Sequence, residues 1–338
     1  MSETSVVICA YTTARWASLV AAVDSCRNQT TPPGEVIVVI DHNDDLLDRA
    51  RRELGGVRVL ASTSTPGLSG ARNCGVRAAK GAVVAFLDDD AFADRAWLEH
   101  LTAPLVDPLV AGVGGWIVPQ WESAQPAWLA ESFLWTLGCS YRGLPESGAT
   151  IRNPIGANMA LRRDVVVAAG GFASQIGRIG ATPLGCEETE LCIRYRQGHE
   201  GHSFVLSREA LVHHLVPASR ASLRYVLRRC WAEGLSKAVV SGLVGAASGL
   251  AAERQQLVSL MTRELWTNLR TLRRSPSRAV ARTLFIAGAT AITVAGYLRG
   301  RWGLRRSAAA DRSFFDFSSV DGPLGGGGEP NPTPHASS

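Results

Sequence analysis

Lysine is nearly absent from this chain of 338 residues: of its 35 basic residues, only Lys80 and Lys237 are lysine. The seven cysteines are scattered, and no two have the C-x-x-C spacing typical of a zinc site or a redox pair. An odd number of cysteines in a chain large enough to build a hydrophobic core also argues against a disulfide framework. We therefore expect reduced cysteines and a cytoplasmic protein.

A basic stretch followed by an apolar run is missing from the N-terminus, MSETSVVICAY, so no signal peptide is predicted. The composition, 46% hydrophobic and 19% charged, is that of a globular protein rather than a collagenous or fully disordered chain. The end of the chain differs, because it contains GPLGGGGEPNPTPHASS. We expect residues 307–338 to form a disordered tail.

The net charge of +5 is unevenly distributed. Residues 1–219 carry −5, residues 220–306 carry +13, and the tail carries −3. The basic segment has no zinc-finger, RRM or other motif that reads nucleic acid, so no nucleic-acid partner is expected. An anionic membrane surface fits this segment at least as well.

The basic segment begins with a pattern typical of a surface helix. Arg220, Arg224 and Arg228 recur every four residues, which predicts an amphipathic helix with a cationic face. Further on, 16 uncharged residues separate Arg282 from Arg299, fewer than the ~20 that a simple membrane-spanning helix needs. We expect the segment to lie on a membrane or dip into it. A helical subdomain packed on the core and a homodimer surface are the alternatives.

The first 110 residues alternate between strand and helix signals. Strands are predicted at 5–10, 35–40, 57–60 and 82–87, and helices at 14–29, 45–54 and 69–80, the last capped by Ser69. This alternation favours a parallel sheet covered by helices, in which ligands bind beyond the carboxyl ends of the strands. Tyr11, Asp41 and Asp88 each follow a predicted strand, so we expect them on one rim of the sheet.

Three consecutive aspartates, Asp88, Asp89 and Asp90, follow the buried strand in VVAFLDDDAF. An Asp-x-Asp pair at the rim of a sheet suits Mg²⁺ or Mn²⁺, which prefer hard oxygen ligands and often share them with substrate phosphates. A bound cation would also offset the repulsion among the carboxylates. Taken alone, the stretch is more typical of a solvated acidic turn.

Other motifs, in a fixed order, change that interpretation. They are VVICAYTTARW, Asp41, PGLSGARNCGVRAAKG leading into VVAFLDDDAF, GANMALRR, GCEETELC and VHHLVP. Together, over about residues 5–235, they resemble the family 2 glycosyltransferases of GT-A fold. The resemblance implies an α/β fold with a Rossmann-like, mostly parallel sheet flanked by helices. It also implies a catalytic domain at 1–219, with a nucleotide-binding half at 1–110 and an acceptor-binding half at 111–219, followed by the helical basic extension.

The resemblance implies an inverting transferase that moves a sugar from a nucleoside-diphosphate sugar to a hydroxyl on a glycan, a glycolipid or a lipid-linked precursor. It places the nucleotide near Ala10, Tyr11, Thr12, Arg15, Asp41, Arg72 and Asp88. A metal, Mn²⁺ or Mg²⁺, would be held by Asp90, Asp88 and one histidine. His214 matches the family pattern better than His213, and only one of two adjacent strand residues can point inward. Asp89 is expected to point away.

The same resemblance makes Glu188 the general base, with Glu187 as the second candidate. The family usually has Asp at the position of Glu188, so this is a departure from its pattern. The alternative is that these glutamates only favour a helix N-terminus through the helix dipole. Trp116, Trp121 and Asn158 are candidate walls for the donor sugar and the acceptor, although each tryptophan could equally be core.

Other functions stay open at this point. A sugar nucleotidyltransferase would need a G-x-G-T-R loop after the first strand, where CAYTTAR stands. A phosphohydrolase with an aspartate nucleophile would need its D-x-D there and a downstream lysine. A non-catalytic nucleotide-sugar-binding or scaffold protein is the third alternative. Asp41 is also a candidate helix cap, and Arg72 a candidate surface residue. The expected location is the inner face of the plasma membrane, as a peripheral protein.

Overall fold

The computed structural model describes residues 4–178, 184–245 and 275–309, and the elements below are those of these residues. The strands are β1 (Thr4–Ala10), β2 (Glu35–Ile40), β3 (Arg58–Ala61), β4 (Val83–Asp88), β5 (Ala91–Ala93), β6 (Val110–Trp121), β7 (Thr150–Ile151), β8 (Asn158–Arg162) and β9 (Ser203–Val216). The helices are α1 (Trp16–Arg27), α2 (Asp44–Glu53), α3 (Leu68–Ala78), α4 (Trp97–Thr102), α5 (Arg163–Ala168), α6 (Glu187–Gly198), α7 (Leu223–Val244) and α8 (Pro276–Ala309). Short 3₁₀ segments occur at Thr13–Arg15, Ala103–Val106 and Glu131–Leu137.

The strands form one mixed sheet in the order β3-β2-β1-β4-β8-β6-β9-β5, with β7 paired to β9. The first four strands are parallel, as predicted, and lie close to the predicted bounds. Beyond β4 the pairing changes, because β8 is antiparallel to both β4 and β6. A second parallel pair, β6 with β9, follows, so the sheet is parallel over β1 to β4, antiparallel around β8, and parallel again between β6 and β9.

Alternating apolar residues let the sheet build a core on each face. On β1, Val6 and Ile8 pack into one cluster of buried residues, while Val7 packs into another on the opposite face. Against Val7, α3 approaches so closely that a Cβ on Gly75 would lie 2.5 Å from the valine side chain. This approach fixes α3 beneath the rim where β1 and β4 end.

Two expectations about helix starts are wrong. Ser69 does not cap α3; Gly67 occupies the cap position at φ 120°, and the Ser69 hydroxyl instead donates to the carbonyl of Ile176 at 2.7 Å. Arg220 does not belong to the cationic face of a helix either. α7 begins at Leu223, capped by the Ser222 hydroxyl, which leaves Arg220 in the preceding turn.

The uncharged segment predicted to be too short for a membrane lies inside a longer helix. α8 has 34 residues, and within it Pro276–Arg305 is long and apolar enough to cross a membrane, by length and composition. Only 28% of its apolar window is buried. α8 continues through 307–309, where the disordered tail was expected to begin; the rest of that tail lies outside the described residues.

α7 and α8 pack against each other through glycine. A Cβ on Gly234 would lie 2.1 Å from the Thr293 carbonyl oxygen, and one on Gly296 would lie 2.4 Å from the carbonyl oxygen of Trp231. Contact this close requires residues without side chains on both helices. Phe285 and Ile286 of α8 join a core cluster that also contains residues of β6 and β9, so the helix pair is anchored to the sheet.

Candidate active site

Three potential metal ligands meet at the carboxyl end of β4. One ligand atom each from Asp88, Asp90 and His214 lies within 4.8 Å of the others. The fold brings them together because the chain reverses after Asp90 and β5 pairs antiparallel with β9, which sets Ala91 opposite His214. Two carboxylates and an imidazole are a donor set that suits a divalent cation such as Mn²⁺ or Mg²⁺.

The strand alternation decides which histidine belongs to this cluster. The His214 Nε2 lies 3.2 Å from Asp90 Oδ1, and the ring is buried. On the other face of β9, the His213 Nε2 lies 3.0 Å from Asp94 Oδ1, and its ring stacks on Phe92. His213 is therefore engaged away from the aspartates, and His214 is the candidate ligand.

Asp90 lies in the most strongly cationic part of the site. Its Oδ2 is 3.1 Å from Nη1 of Arg15 and 3.0 Å from Nη1 of Arg220. Although burial opposes ionisation, His214, Arg15 and Arg220 hold the pKa of Asp90 well below its usual range. In turn, Asp90 raises the pKa of His214 well above its ordinary value, against the effect of burial. Asp90 is thus a permanent carboxylate.

A second acidic group opens α6. Glu187 is buried, and its Oε1 accepts a hydrogen bond from Arg72 Nη1 at 2.7 Å. Glu188 is half-buried, and burial together with the neighbouring Glu187 raises its pKa to about 8. Cys186, just before them, has a left-handed backbone at φ 72°, a costly conformation that a residue with a side chain rarely adopts. It turns the chain into the helix so that both glutamates reach the rim.

Arg72 connects the two acidic groups. Its Nη2 lies 3.7 Å from Asp88 Oδ1 and donates to the carbonyl of Gly156 at 3.0 Å, while its Nη1 binds Glu187. The side chain is 2% exposed, so the surface alternative for this arginine is wrong. A Cβ on Gly156 would lie 2.5 Å from the guanidinium, and a glycine there is what leaves room for it.

Both acidic groups face a cavity of about 1030 Å³. Asp88, His214, Glu187 and Glu188 line it, together with residues of α7 and α8 and of the Glu131–Leu137 segment. A carboxyl with a raised pKa, in a cavity that is also lined by two of the three candidate metal ligands, has what general-base catalysis needs.

Comparison with known proteins identifies the family. The family model described as glycosyl transferase family 2 matches residues 5–168. A glucosyl-dolichyl phosphate glucuronosyltransferase of Haloferax volcanii is 32% identical over 304 residues, which cover 88% of this chain and 96% of that relative. The chain belongs to glycosyl transferase family 2.

Two further relatives agree with this assignment. The succinoglycan biosynthesis protein ExoM of Rhizobium meliloti is 31% identical over 200 residues, covering 55% of this chain and 60% of that protein. The solved mannosyltransferase PcManGT of Pyrobaculum calidifontis, in complex with GDP-Man and Mn²⁺, superposes with a TM-score of 0.56 at 18% identity, over 86% of this chain and 87% of that one. The GT-A fold is therefore confirmed, and the enzyme is a glycosyltransferase rather than a nucleotidyltransferase, a phosphohydrolase or a scaffold.

In this glycosyltransferase, Asp89 lies outside the cluster of Asp88, Asp90 and His214, in agreement with the expectation that it points away from the metal ligands, but it is not a solvent-exposed residue. It is buried, and its Oδ1 accepts a hydrogen bond from Arg15 Nη1 at 2.8 Å. Burial and the adjacent Asp90 raise the pKa of Asp89 to about 7, although Arg15 opposes the shift. Arg15, expected near the nucleotide, is thus held by two aspartates of the metal-ligand rim, with its guanidinium 5.6 Å from the centre of the Tyr11 ring.

The other nucleotide-site candidates surround the end of β1. Tyr11 is exposed there, next to the buried Ala10, and the Thr12 hydroxyl accepts from the Ala14 amide at 3.3 Å. Asp41 Oδ2 accepts from the Gly67 amide at 2.9 Å, which ties the end of β2 to the start of α3. The helix-cap alternative for Asp41 is wrong. Asn43 caps α2 instead, and it also binds the Tyr11 carbonyl.

The predicted sugar-binding walls lie elsewhere. Asn158 is fully buried; it accepts from the Trp97 indole at 2.7 Å and donates to two backbone carbonyls, so it is a core residue. Trp116 packs under the Arg208 guanidinium, and Trp121 packs in the core cluster shared with α8. Phe133, Trp135 and Tyr141 of the aromatic-rich stretch line the cavity instead, together with Tyr297 of α8. The aromatic-rich stretch of the sequence held this signal, but its spacing did not show which rings face the site.

Proposed function

We propose that this enzyme transfers a sugar from a nucleoside-diphosphate sugar to the hydroxyl of a glycan or lipid-linked acceptor, with inversion at the anomeric carbon. The observation that carries this proposal is Glu188, a half-buried carboxyl with a raised pKa in the cavity that also receives Asp88 and His214. Glu188 accepts the proton of the acceptor hydroxyl as that oxygen attacks. Glu187, held by Arg72, keeps the neighbouring carboxylate in place.

Asp88, Asp90 and His214 would hold Mn²⁺ or Mg²⁺, which when bound supplies positive charge to the departing nucleoside diphosphate. Tyr11, exposed at the end of β1, is available to the base of the donor. The relative from Haloferax volcanii, named for glucosyl-dolichyl phosphate, supports a lipid-linked acceptor. We retain the division into a catalytic part at 1–219 and a helical extension at 220–306 as part of the proposal.

The experiment is a panel of nucleotide sugars assayed with the purified chain, with Mn²⁺ and with EDTA. We expect at least one donor to raise the melting temperature in the presence of Mn²⁺ and to be consumed when acceptor lipids are added. If no nucleoside diphosphate or its sugar binds in a metal-dependent manner, the assignment of the whole site is wrong.

We also propose that α8 attaches the enzyme to a membrane. Its large exposed apolar side chains lie on one face of the helix, at Val280, Leu284, Val294, Leu298 and Trp302, each at least 48% exposed. At 1.5 Å per residue this apolar stripe is about 33 Å long. The opposite face packs on α7, so lipid cannot surround the helix, and we place α8 in the plane of the membrane surface.

Arginines at both ends of the stripe support contact with anionic lipids. They are Arg278, Arg282, Arg299, Arg301 and Arg305. The seven cysteines are all free, in agreement with the cytoplasmic face of the membrane that we propose. A second copy of the chain is the competing cover for the stripe, as a homodimer.

Flotation with vesicles of phosphatidylglycerol and phosphatidylcholine tests this attachment. Replacing Leu284 and Leu298 with Asp should abolish flotation, because both would bring charge into the acyl region. The matched control is Val106→Asp, at a valine that is 89% exposed outside α8. Flotation that survives the double substitution, or a dimer that the double substitution dissociates, would contradict the membrane proposal.

A further inference from the structure

Beyond the acidic residues, the cavity reaches a second group of charges. Arg229, Glu233 and Lys237 recur every four residues along one face of α7, and all three line the cavity, as does Arg152 from the loop between β7 and β8. The Lys237 Nζ lies 3.4 Å from Glu233 Oε1. Although burial opposes ionisation, Lys237, Arg229 and Arg152 hold the pKa of Glu233 below its usual range. We refer to Arg152, Arg229, Glu233 and Lys237 together as the α7 basic cluster.

The α7 basic cluster lies directly beside the candidate base. The Cys186 thiol donates to Glu233 Oε1 at 3.5 Å, and the Gly185 amide donates to the Ser236 hydroxyl at 3.1 Å. Cys186 is two residues before Glu188. A ligand group bound by the cluster would therefore be next to the carboxylate that receives the acceptor proton.

An apolar wall continues from the cluster along α8. Ile286, Val294 and Tyr297 line the same cavity, and the backbone of Gly234 contacts α8 at Thr293. Because Gly234 follows Glu233 in the chain, the charges and this wall are adjacent. Val294 is also 48% exposed, so the cavity reaches the outer face of α8 and its apolar stripe. The cavity thus joins a cationic site to a surface that suits hydrocarbon.

Building on the glycosyltransferase activity proposed above, we propose that the α7 basic cluster binds the phosphate of a lipid-phosphate-linked sugar acceptor. The sugar of this acceptor presents the attacking hydroxyl to Glu188, and its hydrocarbon chain leaves the cavity along α8 past Val294. Guanidinium and ammonium groups make charge-assisted hydrogen bonds to phosphate oxygens, and a neutral glycan would gain little from them. Asp88, Asp90 and His214 are a separate group of residues. The donor diphosphate would therefore be bound through the metal ion, and the acceptor phosphate through the arginine and lysine side chains of the cluster. Glu188 lies at the junction of the two sites.

Binding of farnesyl phosphate and of farnesol to the full chain in detergent, without donor, tests the proposal by thermal shift. We expect the phosphate to bind at least about tenfold more tightly than the alcohol, since two charged hydrogen bonds are at stake. Arg229→Gln and Lys237→Gln should each remove most of this preference. Arg228→Gln, at the adjacent exposed arginine, should leave it unchanged.

Equal affinity of the wild type for the phosphate and the alcohol would overturn the proposal. So would an Arg228→Gln variant that loses as much of the phosphate preference as Arg229→Gln and Lys237→Gln do. Inorganic phosphate that competes as well as farnesyl phosphate would overturn the lipid assignment. If either α7 variant fails to fold, Arg152→Gln gives the same test from a separate loop. If no donor is consumed but the preference for the phosphate over the alcohol is intact, the proposed activity is contradicted and this subsite is not.

Discussion

Two pairs of adjacent carboxylates, Asp89 with Asp90 after β4 and Glu187 with Glu188 at the start of α6, have contrasting surroundings. Asp90 lies within ion-pair distance of Arg15, Arg220 and His214, whereas Glu187 pairs with Arg72 in the described part of the chain. In each pair the other member, Asp89 or Glu188, has a raised pKa. These two members differ in their surroundings, because Asp89 is buried and bound to Arg15, while Glu188 lines the cavity. The aspartate pair is suited to holding charge, and the glutamate pair to moving a proton.

The largest expected effect comes from Glu188→Gln. Removing the base should lower kcat by about 10²–10⁴-fold while donor affinity stays near that of the wild type, because the aspartate pair is untouched. Single-turnover transfer and donor titration in the presence of Mn²⁺ measure the two quantities. The exposed Glu200, replaced by Gln, serves as the control. Normal turnover of Glu188→Gln would remove it from the mechanism.

Substitutions at the aspartate site should instead weaken the binding of the metal and the donor. Asp90→Asn or His214→Gln should weaken Mn²⁺ binding by more than about tenfold and weaken donor binding with it, since one of three ligands is lost. The neighbouring pair provides a matched control: Asp94→Asn and His213→Gln alter an equally short contact on the other face of β9. Isothermal titration with Mn²⁺ checks both sets. Equal losses in the two sets would show that the effect is structural.

The pH profile should depend on the glutamate pair. Because the base must be ionised and the pKa of Glu188 is raised to about 8, the acceptor kcat/KM should rise with pH until about 8 and fall about tenfold per unit below it. Glu187→Gln removes the neighbouring negative charge, so it should lower the pKa of Glu188 and move the profile to lower pH. If the pH profile of Glu187→Gln does not shift from that of the wild type, the two carboxyls do not interact.

The smallest effect is expected at Asp89. Asp89→Asn should change Mn²⁺ affinity by less than about threefold, because Asp89 is not one of the three candidate ligands Asp88, Asp90 and His214. The pKa of Asp89 is raised from 3.8 to about 7, so its contribution to stability is complete below the lower value and is lost as pH rises through the upper one. The variant should therefore lose less melting temperature than the wild type between those pH values. Melting curves that fall in parallel would contradict this assignment.

Local patterns were enough to predict the four parallel strands β1 to β4 and the position of the rim at their carboxyl ends. Alternation of strand and helix signals located β1 to β4, and the metal-ligand candidates Asp88, Asp90 and His214 do meet there. The two-residue period of a strand also predicted that only one of His213 and His214 would point inward, and the family resemblance favoured His214. These features depend on residues close in sequence or on a period that every strand obeys.

The missed features all depend on distant partners. Arg220 reaches Asp90 across 130 positions of sequence, so its four-residue spacing with Arg224 indicated a helix face that does not include it. No bounds were predicted for β9, whose partner β6 is distant in sequence and whose register against β6 shifts between Gly115 and Trp116. Asn158 looked like a ligand-binding amide, and only the fold shows that its hydrogen bonds go to the core.

The contact of Gly234 with the backbone of α8 has a mechanical consequence. With no side chain between them, the two backbones are in direct contact at the Thr293 carbonyl, and any larger residue at position 234 would push the helices apart. Arg229, Glu233 and Lys237 project from the same helix as Gly234, and Thr293 and Val294 of α8 line the same cavity. The spacing of the two helices at this glycine therefore sets the width of the cavity between the charges and α8.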